Sequence, residues 1–287
     1  MELISSGGKK MSTSLQILID LALAEDLGGG VDITSHATIP EAQVSTAKFV
    51  TRKPGVIAGI DCAIEVLKTL GVTDIEVKIR DGEEVAVGTV ILLARGNTRA
   101  LLLAERTALN FLTHLSGIAT ETRSWVKAVA GTPCQIRDTR KTTPGWRTLE
   151  KAAVRAGGGK NHRISLSDAA LIKDNHVLAV GGVLPAFELV RNKYPDTEIE
   201  VEVDNLLQLL EVLVGRPDLI LLDNMSPALC REAVEIVAGR ARLEASGGIT
   251  LERALEFANS GVDYLAIGGL THSAKALDIG LDLTMGI

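Results

Sequence analysis

The sequence predicts an α/β protein in which a small mixed α/β sheet domain is followed by an α/β barrel. Strand-like segments alternate with helix-like segments throughout the second half, which is typical of a parallel sheet covered by helices. Polar or glycine residues end four of these strands at intervals of 21, 23 and 22 residues, at Glu202, Asp223, Ser246 and Gly268. The N-terminal third instead contains three strand-like runs around one helix-like run.

The N-terminal region divides into a lead and a folded part. Residues 1–13 form a polar lead that we expect to be disordered, and residues 14–27 have the apolar spacing of an amphipathic helix. Strand-like runs follow at 44–50, 75–79 and 90–94, with a helix at 62–70. Residues 99–116 predict a long helix ended by Gly117, where we place the domain boundary. The expected domains are therefore 14–116 and 117–274.

Six short segments predict the strands of the second domain, at 135–138, 171–173, 199–203, 219–222, 242–245 and 264–267. Regular units with polar residues at the carboxyl ends of the strands favour a closed barrel, in which the loops at that rim form the active site. A doubly wound open sheet is the alternative.

The bulk composition excludes several classes of protein. The chain has 287 residues, of which 46% are hydrophobic, so it can form a sizeable core. Its net charge of −6 argues against a nucleic-acid binder, which would need a broad basic surface. No segment resembles a membrane span or a secretion signal, and three scattered cysteines form no zinc or disulfide pattern. We expect a cytoplasmic protein without a membrane partner.

Local charge contrasts with this acidic average. Residues 137–163 contain eight cations and two carboxylates, a net of +6, which leaves −6 − 6 = −12 for the rest of the chain. The cations include Arg140, Lys141 and Arg163, and Lys173 follows on the next strand end. Arginine can bind a carboxylate or phosphate through two parallel hydrogen bonds, and lysine acts as a point charge. An anion pocket is the functional reading, and a solvated basic surface is the alternative.

Carboxylates and glycines at the strand ends indicate what else this pocket holds. Alternation along residues 199–203 sends Glu200 and Glu202 to the face opposite the aliphatic residues, and Asp223 ends an entirely apolar strand. Glu202 and Asp223 could bind Mg²⁺ or sugar hydroxyls, or could pair with nearby cations. Glycine pairs after the last two strands are suited to hold a phosphate, although such pairs also serve ordinary turns. His162 and His272 are candidate donors to an anion.

Eight ordered segments resemble the quinolinate phosphoribosyltransferases. They are ERTALN at 105–110, HLSGIAT at 114–120, DTRKT at 138–142, GGGKNHR at 157–163, LIKDNH at 171–176, LLDNM at 221–225, EASGG at 244–248 and LTHS at 270–273. The resemblance covers nearly the whole chain after Ser14. It implies a homodimer in which the N-terminal sandwich domain of each subunit covers the barrel of its partner. The barrel would have fewer than eight strands, and residues 275–287 would return to the sandwich domain.

The resemblance also implies roles for individual residues. The quinolinate carboxylates would be bound by Arg140, His162, Arg163 and Lys173, with Arg106 reaching in from the neighbouring subunit. The phosphoribosyl pyrophosphate and its Mg²⁺ would be held by Thr139, Lys141, Glu202 and Asp223, of which the last two would be the metal ligands. The 5′-phosphate would lie among Ser246, Gly247, Gly248, Ile267, Gly268, Gly269 and His272. Lys141, Glu202 and Asp223 would be the catalytic residues.

The implied reaction joins quinolinate to phosphoribosyl pyrophosphate and releases pyrophosphate and CO₂. A related phosphoribosyltransferase acting on another aromatic acid, such as nicotinate, without decarboxylation is the nearest alternative. A Schiff-base aldolase that uses Lys173 and a non-catalytic anion sensor are alternatives from other classes.

Overall fold

A computed structural model of the chain describes the backbone of residues 7–285 and the side chains of residues 14–284. It divides the chain into two compact units. The first contains Met1–Glu121, Pro144–Gly157 and Ala274–Ile287, and the second contains Thr122–Thr143 and Gly158–Ser273. Residues 144–157, which we expected in the barrel, thus cluster with the first unit. None of the helices within the described residues is long and apolar enough to cross a membrane.

An antiparallel sheet organises the first unit. Its order is β12-β1-β5-β3, and a separate two-stranded sheet pairs β2 with β4. The bounds are β1 (Val44–Thr51), β2 (Gly55–Val56), β3 (Asp74–Val77), β4 (Glu84–Val85), β5 (Val90–Asn97) and β12 (Ile279–Met285). Along β1, Ala47 and Phe49 are fully buried, as expected for a strand with one face on a core. The last strand of the described residues, β12, pairs with the first, β1.

Five α-helices of the described residues belong wholly or partly to this unit. They are α1 (Gly7–Leu27), α2 (Ile33–Thr38), α3 (Ile60–Thr69), α4 (Thr98–Ala128), which continues into the second unit, and α5 (Arg147–Ala156). The carboxylate of Asp32 caps α2 by accepting from the amides of Thr34 and Ser35. Helix α1 begins seven residues before the expected N-cap Ser14. The expected disordered lead is therefore helical from Gly7, and its first six residues lie outside the described part.

Helix α4 does not end at Gly117, and that expectation is wrong. A Cβ atom on Gly117 would lie 2.3 Å from the carbonyl oxygen of Lys275 and 3.0 Å from Cα of Ala276. The glycine is therefore required for close approach of two backbone segments within the first unit, and the helix continues through it to Ala128. A glycine inside a helical pattern can serve packing as well as termination.

Six parallel strands form the sheet of the second unit, as far as the described residues show. They are β6 (Gln135–Arg137), β7 (Ala170–Ile172), β8 (Ile199–Val203), β9 (Leu219–Asp223), β10 (Arg242–Ser246) and β11 (Tyr264–Ala266), each within one residue of its predicted bounds. The order is β6-β11-β10-β9-β8-β7. From β7 to β11, strands that follow one another in sequence are neighbours, and β6, the first strand of this sheet, pairs with β11, the last. This cyclic order confirms a barrel of fewer than eight strands and excludes a doubly wound sheet, in which the order reverses.

The barrel is not fully closed, because β6 and β7 do not pair with each other within the described residues. A single parallel bridge between Arg137 and Lys160 extends the sheet on the β6 side. Within the described residues, the α-helices that lie wholly in this unit are α6 (Asp174–Val180), α7 (Val183–Lys193), α8 (Leu206–Leu213), α9 (Pro227–Val237), α10 (Ala254–Ala258) and α11 (Gly269–His272). The loops between the strands and these helices lie at one rim of the barrel.

Candidate functional site

A cavity of about 750 Å³ opens at the carboxyl ends of the barrel strands. Every site residue proposed from the sequence lines it, except Arg106. They are Thr139, Arg140, Lys141, His162, Arg163, Lys173, Glu202, Asp223, Ser246, Gly247, Gly248, Ile267, Gly268, Gly269 and His272. Residues from or next to all six strands contribute, so the sheet must curve around the cavity. The cations and carboxylates therefore face one pocket, and the solvated basic surface is excluded for these side chains.

Two carboxylates stand on neighbouring strands, Glu202 on β8 and Asp223 at the end of β9. The side chain of Glu202 is nearly buried and accepts from Lys173 Nζ at 2.6 Å. Burial, followed by the negative charge of Glu202, raises the pKa of Asp223 above its usual value. The pair thus has more negative charge than Lys173 compensates, and its hard oxygen ligands suit Mg²⁺.

The guanidinium groups of Arg140 and Arg163 face the same space. Burial, followed by the charge of Arg140, lowers the pKa of Arg163. The Nε atoms of both arginines are buried without a hydrogen-bond partner in the described structure. Arg163 donates one bond, from Nη1 to the carbonyl of Ala169 at 3.1 Å. Two adjacent cations with unused donors form a site for a group that carries more than one negative charge.

Two glycine pairs present bare backbone to the cavity. The amides of Gly247, Gly248, Gly268 and Gly269 donate to no acceptor within the described residues. A Cβ atom on Gly268 would lie 3.1 Å from the Lys141 side chain and 3.2 Å from His272 Nε2, so a side chain there would crowd the pocket. Unused amides at adjacent strand ends are suited to phosphate oxygens.

A hydrogen bond connects the loop that carries Lys141 to α11, the short helix that begins at Gly269. Thr271 Oγ1 donates to the carbonyl of Lys141 at 2.7 Å. The amide of Lys141 donates to Thr139 Oγ1 at 3.1 Å. These bonds shape the segment after β6 while the Lys141 side chain remains exposed. The position of Lys141 is therefore set by its backbone.

Asp138 organises the glycine-rich segment and was missed by the sequence reasoning as a site residue. Its carboxylate is fully buried and accepts from Asn161 Nδ2 at 2.5 Å and from the amide of His162 at 2.8 Å. The amide of Asp138 donates to the carbonyl of Lys160. A carboxylate directly after a short buried strand is the signal that could have identified it.

A cluster of buried charged residues lies inside the barrel, a feature the sequence reasoning left unexplained, and two of its members, Glu244 and His162, line the cavity. Glu244 on β10 is 1% exposed and accepts from Arg137 Nη1 at 2.7 Å, while Glu200 on β8 pairs with His162 Nε2. Burial raises the pKa of each carboxyl to about 7, and the positive charge of Arg137 opposes that shift. The alternation that places Glu200 inside the barrel applies equally to Arg242-Leu243-Glu244, so Glu244 was identifiable by the same argument.

Other expected features lie elsewhere. Only part of the basic segment lines the cavity, because Arg147, Lys151 and Arg155 belong to α5 in the first unit. Two histidines without an expected role have structural partners: His176 Nδ1 accepts from the amide of Lys173 at 3.0 Å, and His114 Nε2 lies 2.8 Å from Glu150 Oε1.

Arg106 belongs to the first unit and lies on α4, where it is exposed. It is not among the residues that line the cavity. Its expected role in the site of a neighbouring subunit stays a prediction.

Comparison with known proteins gives a consistent result. Residues 32–116 match the family described as "Quinolinate phosphoribosyl transferase, N-terminal domain", and residues 118–282 match the corresponding C-terminal domain. A nicotinate-nucleotide pyrophosphorylase (carboxylating) from Mycobacterium leprae is 53% identical over 268 residues, which cover 91% of this chain and 94% of that protein. A probable nicotinate-nucleotide pyrophosphorylase (carboxylating) from Bacillus subtilis is 42% identical, covering 94% of each chain. The crystal structure of NadC from Streptococcus pyogenes superposes with a TM-score of 0.92 at 37% identity, covering 100% of both chains.

Proposed function

The chain belongs to the quinolinate phosphoribosyltransferase family, and from this premise we propose that it transfers phosphoribosyl from phosphoribosyl pyrophosphate to quinolinate with decarboxylation. The products are nicotinate mononucleotide, pyrophosphate and CO₂, a step of NAD biosynthesis. The observation that carries the proposal is the single cavity in which cations, two carboxylates and bare glycine amides meet. Each of these groups suits a different part of the two substrates.

The aromatic acid binds to the cationic side of the cavity. Arg140, His162, Arg163 and Lys173 contact the two carboxylates of quinolinate, and the unused Nε donors of the two arginines support this assignment. Both substrates are polyanions that repel each other. Fixed positive charges offset that repulsion and hold the ring nitrogen near the anomeric carbon of the ribose.

The phosphoribosyl pyrophosphate binds along the opposite strand ends. Ser246, Gly247 and Gly248 with Ile267, Gly268 and Gly269 surround the 5′-phosphate, near His272, and the four unused amides support this placement. Lys141 and Thr139 face the pyrophosphate from the segment after β6. Lys141 stabilises the charge that accumulates on the departing pyrophosphate as the bond to the anomeric carbon breaks.

Glu202 and Asp223 form the candidate Mg²⁺ site. Burial, followed by repulsion from Glu202, raises the pKa of Asp223, and a divalent cation would relieve that repulsion, so this donor set fits the metal. When bound with phosphoribosyl pyrophosphate, Mg²⁺ supplies charge neutralisation of the pyrophosphate oxygens. The two carboxylates also face the sugar, where they stabilise the positive charge that grows on the ribose as pyrophosphate leaves.

Decarboxylation follows from the new bond. Attack by the pyridine nitrogen quaternises the ring, which can then accept the electron pair released when the C2 carboxylate departs as CO₂. A proton replaces that carboxylate at C2. The reaction therefore requires no organic cofactor, and the chain's task is to orient the ring and to exclude water from the cavity.

The active assembly is a homodimer in which Arg106 of one subunit completes the quinolinate site of the other. The exposure of Arg106 on α4 and the lack of a counter-ion within the described residues support this role. The protein acts in the cytoplasm, in keeping with three buried cysteines that form no disulfide.

A product assay tests the proposal. Purified protein is incubated with phosphoribosyl pyrophosphate, Mg²⁺ and quinolinate labelled at the C2 carboxylate, and both nicotinate mononucleotide and labelled CO₂ are measured. Nicotinate replaces quinolinate in a parallel reaction. We expect mononucleotide and CO₂ in equal amounts from quinolinate and little product from nicotinate. The reverse preference would favour the transferase that acts on another aromatic acid.

The two remaining alternatives have less support. Lys173 Nζ is engaged in an ion pair with Glu202 and is not presented as an unpaired amine, which disfavours a Schiff-base aldolase. A non-catalytic anion sensor would not need the acidic pair, and both carboxylates line the cavity. Absence of any turnover with both acids would favour the sensor.

A further inference from the structure

Glu200 occupies an unusual position for a carboxylate. It lies on β8 two residues before Glu202, on the same inward face of the barrel, and is 4% exposed. Barrel interiors are usually filled by branched aliphatic side chains, and carboxylates are seldom fully buried. Burying a carboxylate costs free energy of folding unless the group is paired. We therefore infer that Glu200 has a function beyond stabilising the fold.

The contacts of Glu200 lead to His162. Its Oε2 atom is hydrogen-bonded to Nε2 of His162, whereas its Oε1 atom is buried and has no hydrogen-bond partner within the described structure. Only one of the two oxygens therefore makes a hydrogen bond, and its partner is a side chain that lines the cavity. A carboxylate that served only to stabilise the fold would be expected to have hydrogen bonds to both of its oxygens.

His162 needs such support because of where it lies in the chain. Residues 161–169 contain no helix or strand, so no regular backbone pattern orients the ring. The backbone of His162 is fixed by the bond from its amide to Asp138 Oδ1 at 2.8 Å. The bond to Glu200 fixes the other end of the residue, at the imidazole. Together they leave the ring one orientation at the cavity wall.

We propose that Glu200 is a positioning residue for the aromatic-acid half of the reaction, acting through the imidazole of His162. The inference rests on the proposed function, because His162 is there assigned to a quinolinate carboxylate. Glu200 itself lies below the cavity and touches no substrate. It resembles the outer carboxylates that orient metal-binding histidines, where loss of the partner costs about 10- to 100-fold in metal affinity or activity.

A metal site is the competing interpretation of the same groups. Ligand atoms of His162, Glu200 and Glu244 lie within 4.8 Å of one another. However, Glu244 Oε2 already accepts from Arg137 Nη1 at 2.7 Å, which places a fixed positive charge at this cluster. A cation would be repelled by that guanidinium, so the positioning role is favoured.

The test compares Glu200→Gln with Glu198→Gln. Glu198 immediately precedes β8 and pairs with Arg242 at a half-exposed position, so it offers the same substitution outside the cavity. For Glu200→Gln we expect KM for quinolinate to rise about 10-fold or more, with KM for phosphoribosyl pyrophosphate within about twofold of the parent value. Glu198→Gln should change neither constant. Equal effects of Glu200→Gln on both constants would overturn the proposal.

A double substitution separates positioning from a general structural effect. If Glu200 acts through His162, Glu200→Gln should add little to the KM for quinolinate in a His162→Gln background. Additive increases would contradict this. If Glu200→Gln does not fold, Glu200→Asp, which keeps the charge but withdraws it from the ring, is measured in the same way. Failure of both variants to fold would assign Glu200 a structural role.

Two further outcomes are distinguishable. Stoichiometric zinc or another transition metal in the purified parent protein, lost in Glu200→Gln, would overturn the positioning role in favour of a metal site. Absence of product from quinolinate with the parent protein and with Glu198→Gln would instead refute the proposed function, whatever the result for Glu200.

Discussion

Asn224 and Gly247 are in such close contact that a Cβ atom on the glycine would lie 2.2 Å from Asn224 Oδ1. Asn224 also donates from Nδ2 to Asp223 Oδ2 at 2.6 Å, and its amide donates to the carbonyl of Ser246 at 2.9 Å. One residue therefore connects a carboxylate of the candidate metal site to the first glycine pair. The proposed sites for the metal and for the 5′-phosphate are held at a fixed separation.

We expect Gly247→Ala to raise KM for phosphoribosyl pyrophosphate about 10-fold or more. The new methyl group clashes with Asn224, and the φ of +91° is unfavourable for alanine by about 1–3 kcal/mol. Gly88→Ala is the control, because Gly88 has a similar φ of +80° and no atom within 4 Å of the added Cβ. Steady-state kinetics measure both. Equal, small effects would show that the close contact does not shape the site.

Glu202→Gln and Asp223→Asn should lower kcat by about 100-fold or more, because they remove charge that stabilises the ribose in the transition state. Dissociation of quinolinate should change far less, and the Mg²⁺ concentration for half-maximal rate should rise. Asp204→Asn, an exposed carboxylate just beyond β8, is the control. A loss of quinolinate affinity as large as the loss of kcat would contradict the division of the cavity into two halves.

Gly117→Ala should destabilise the protein by about 2 kcal/mol or more, since the methyl group meets the Lys275 carbonyl oxygen, which is backbone and not a flexible side chain. Denaturant unfolding measures the change. Gly30→Ala, whose added Cβ would lie 3.6 Å from its nearest neighbour, should have little effect. Similar stability of both variants would refute the packing role assigned to Gly117.

Glu244 should make the free energy of unfolding fall with pH. Its pKa is raised by burial from 4.5 to about 7, so the folded state binds the proton more tightly than the unfolded state. Between about pH 4.5 and 7 the contribution of Glu244 to stability therefore decreases as pH rises. Glu244→Gln should lack this decrease, so the difference in unfolding free energy between variant and parent should change across this pH range, whereas exposed Glu235→Gln should keep the parent slope. An unchanged slope in Glu244→Gln would show that Arg137 keeps the carboxyl ionised.

The sequence anticipated the strands of the barrel well and the long helix poorly. Each barrel strand is a short apolar run with a polar or glycine terminus, so its local pattern determines its bounds. Gly117 lies inside helix α4 at the point where the backbone of Lys275 packs against it, and that contact joins residues more than 150 positions apart. The amino-acid pattern around Gly117 cannot predict such a long-range contact. The assignment of residues 144–157 to the first unit depends on tertiary contacts in the same way.

The sequence by itself determined which residues could meet at the barrel rim, because in a parallel barrel every strand delivers its terminal side chains to the same edge. Only the tertiary structure decided which side chain each carboxylate pairs with. Glu200 and Glu202 share one face of β8 and are equivalent in the pattern, yet one pairs with His162 below the cavity and the other with Lys173 at its wall. The burial and pairing of a side chain depend on which side chains of the neighbouring strands lie at the same level along the barrel axis. The register between strands sets that level, and the alternation of residues within one strand does not.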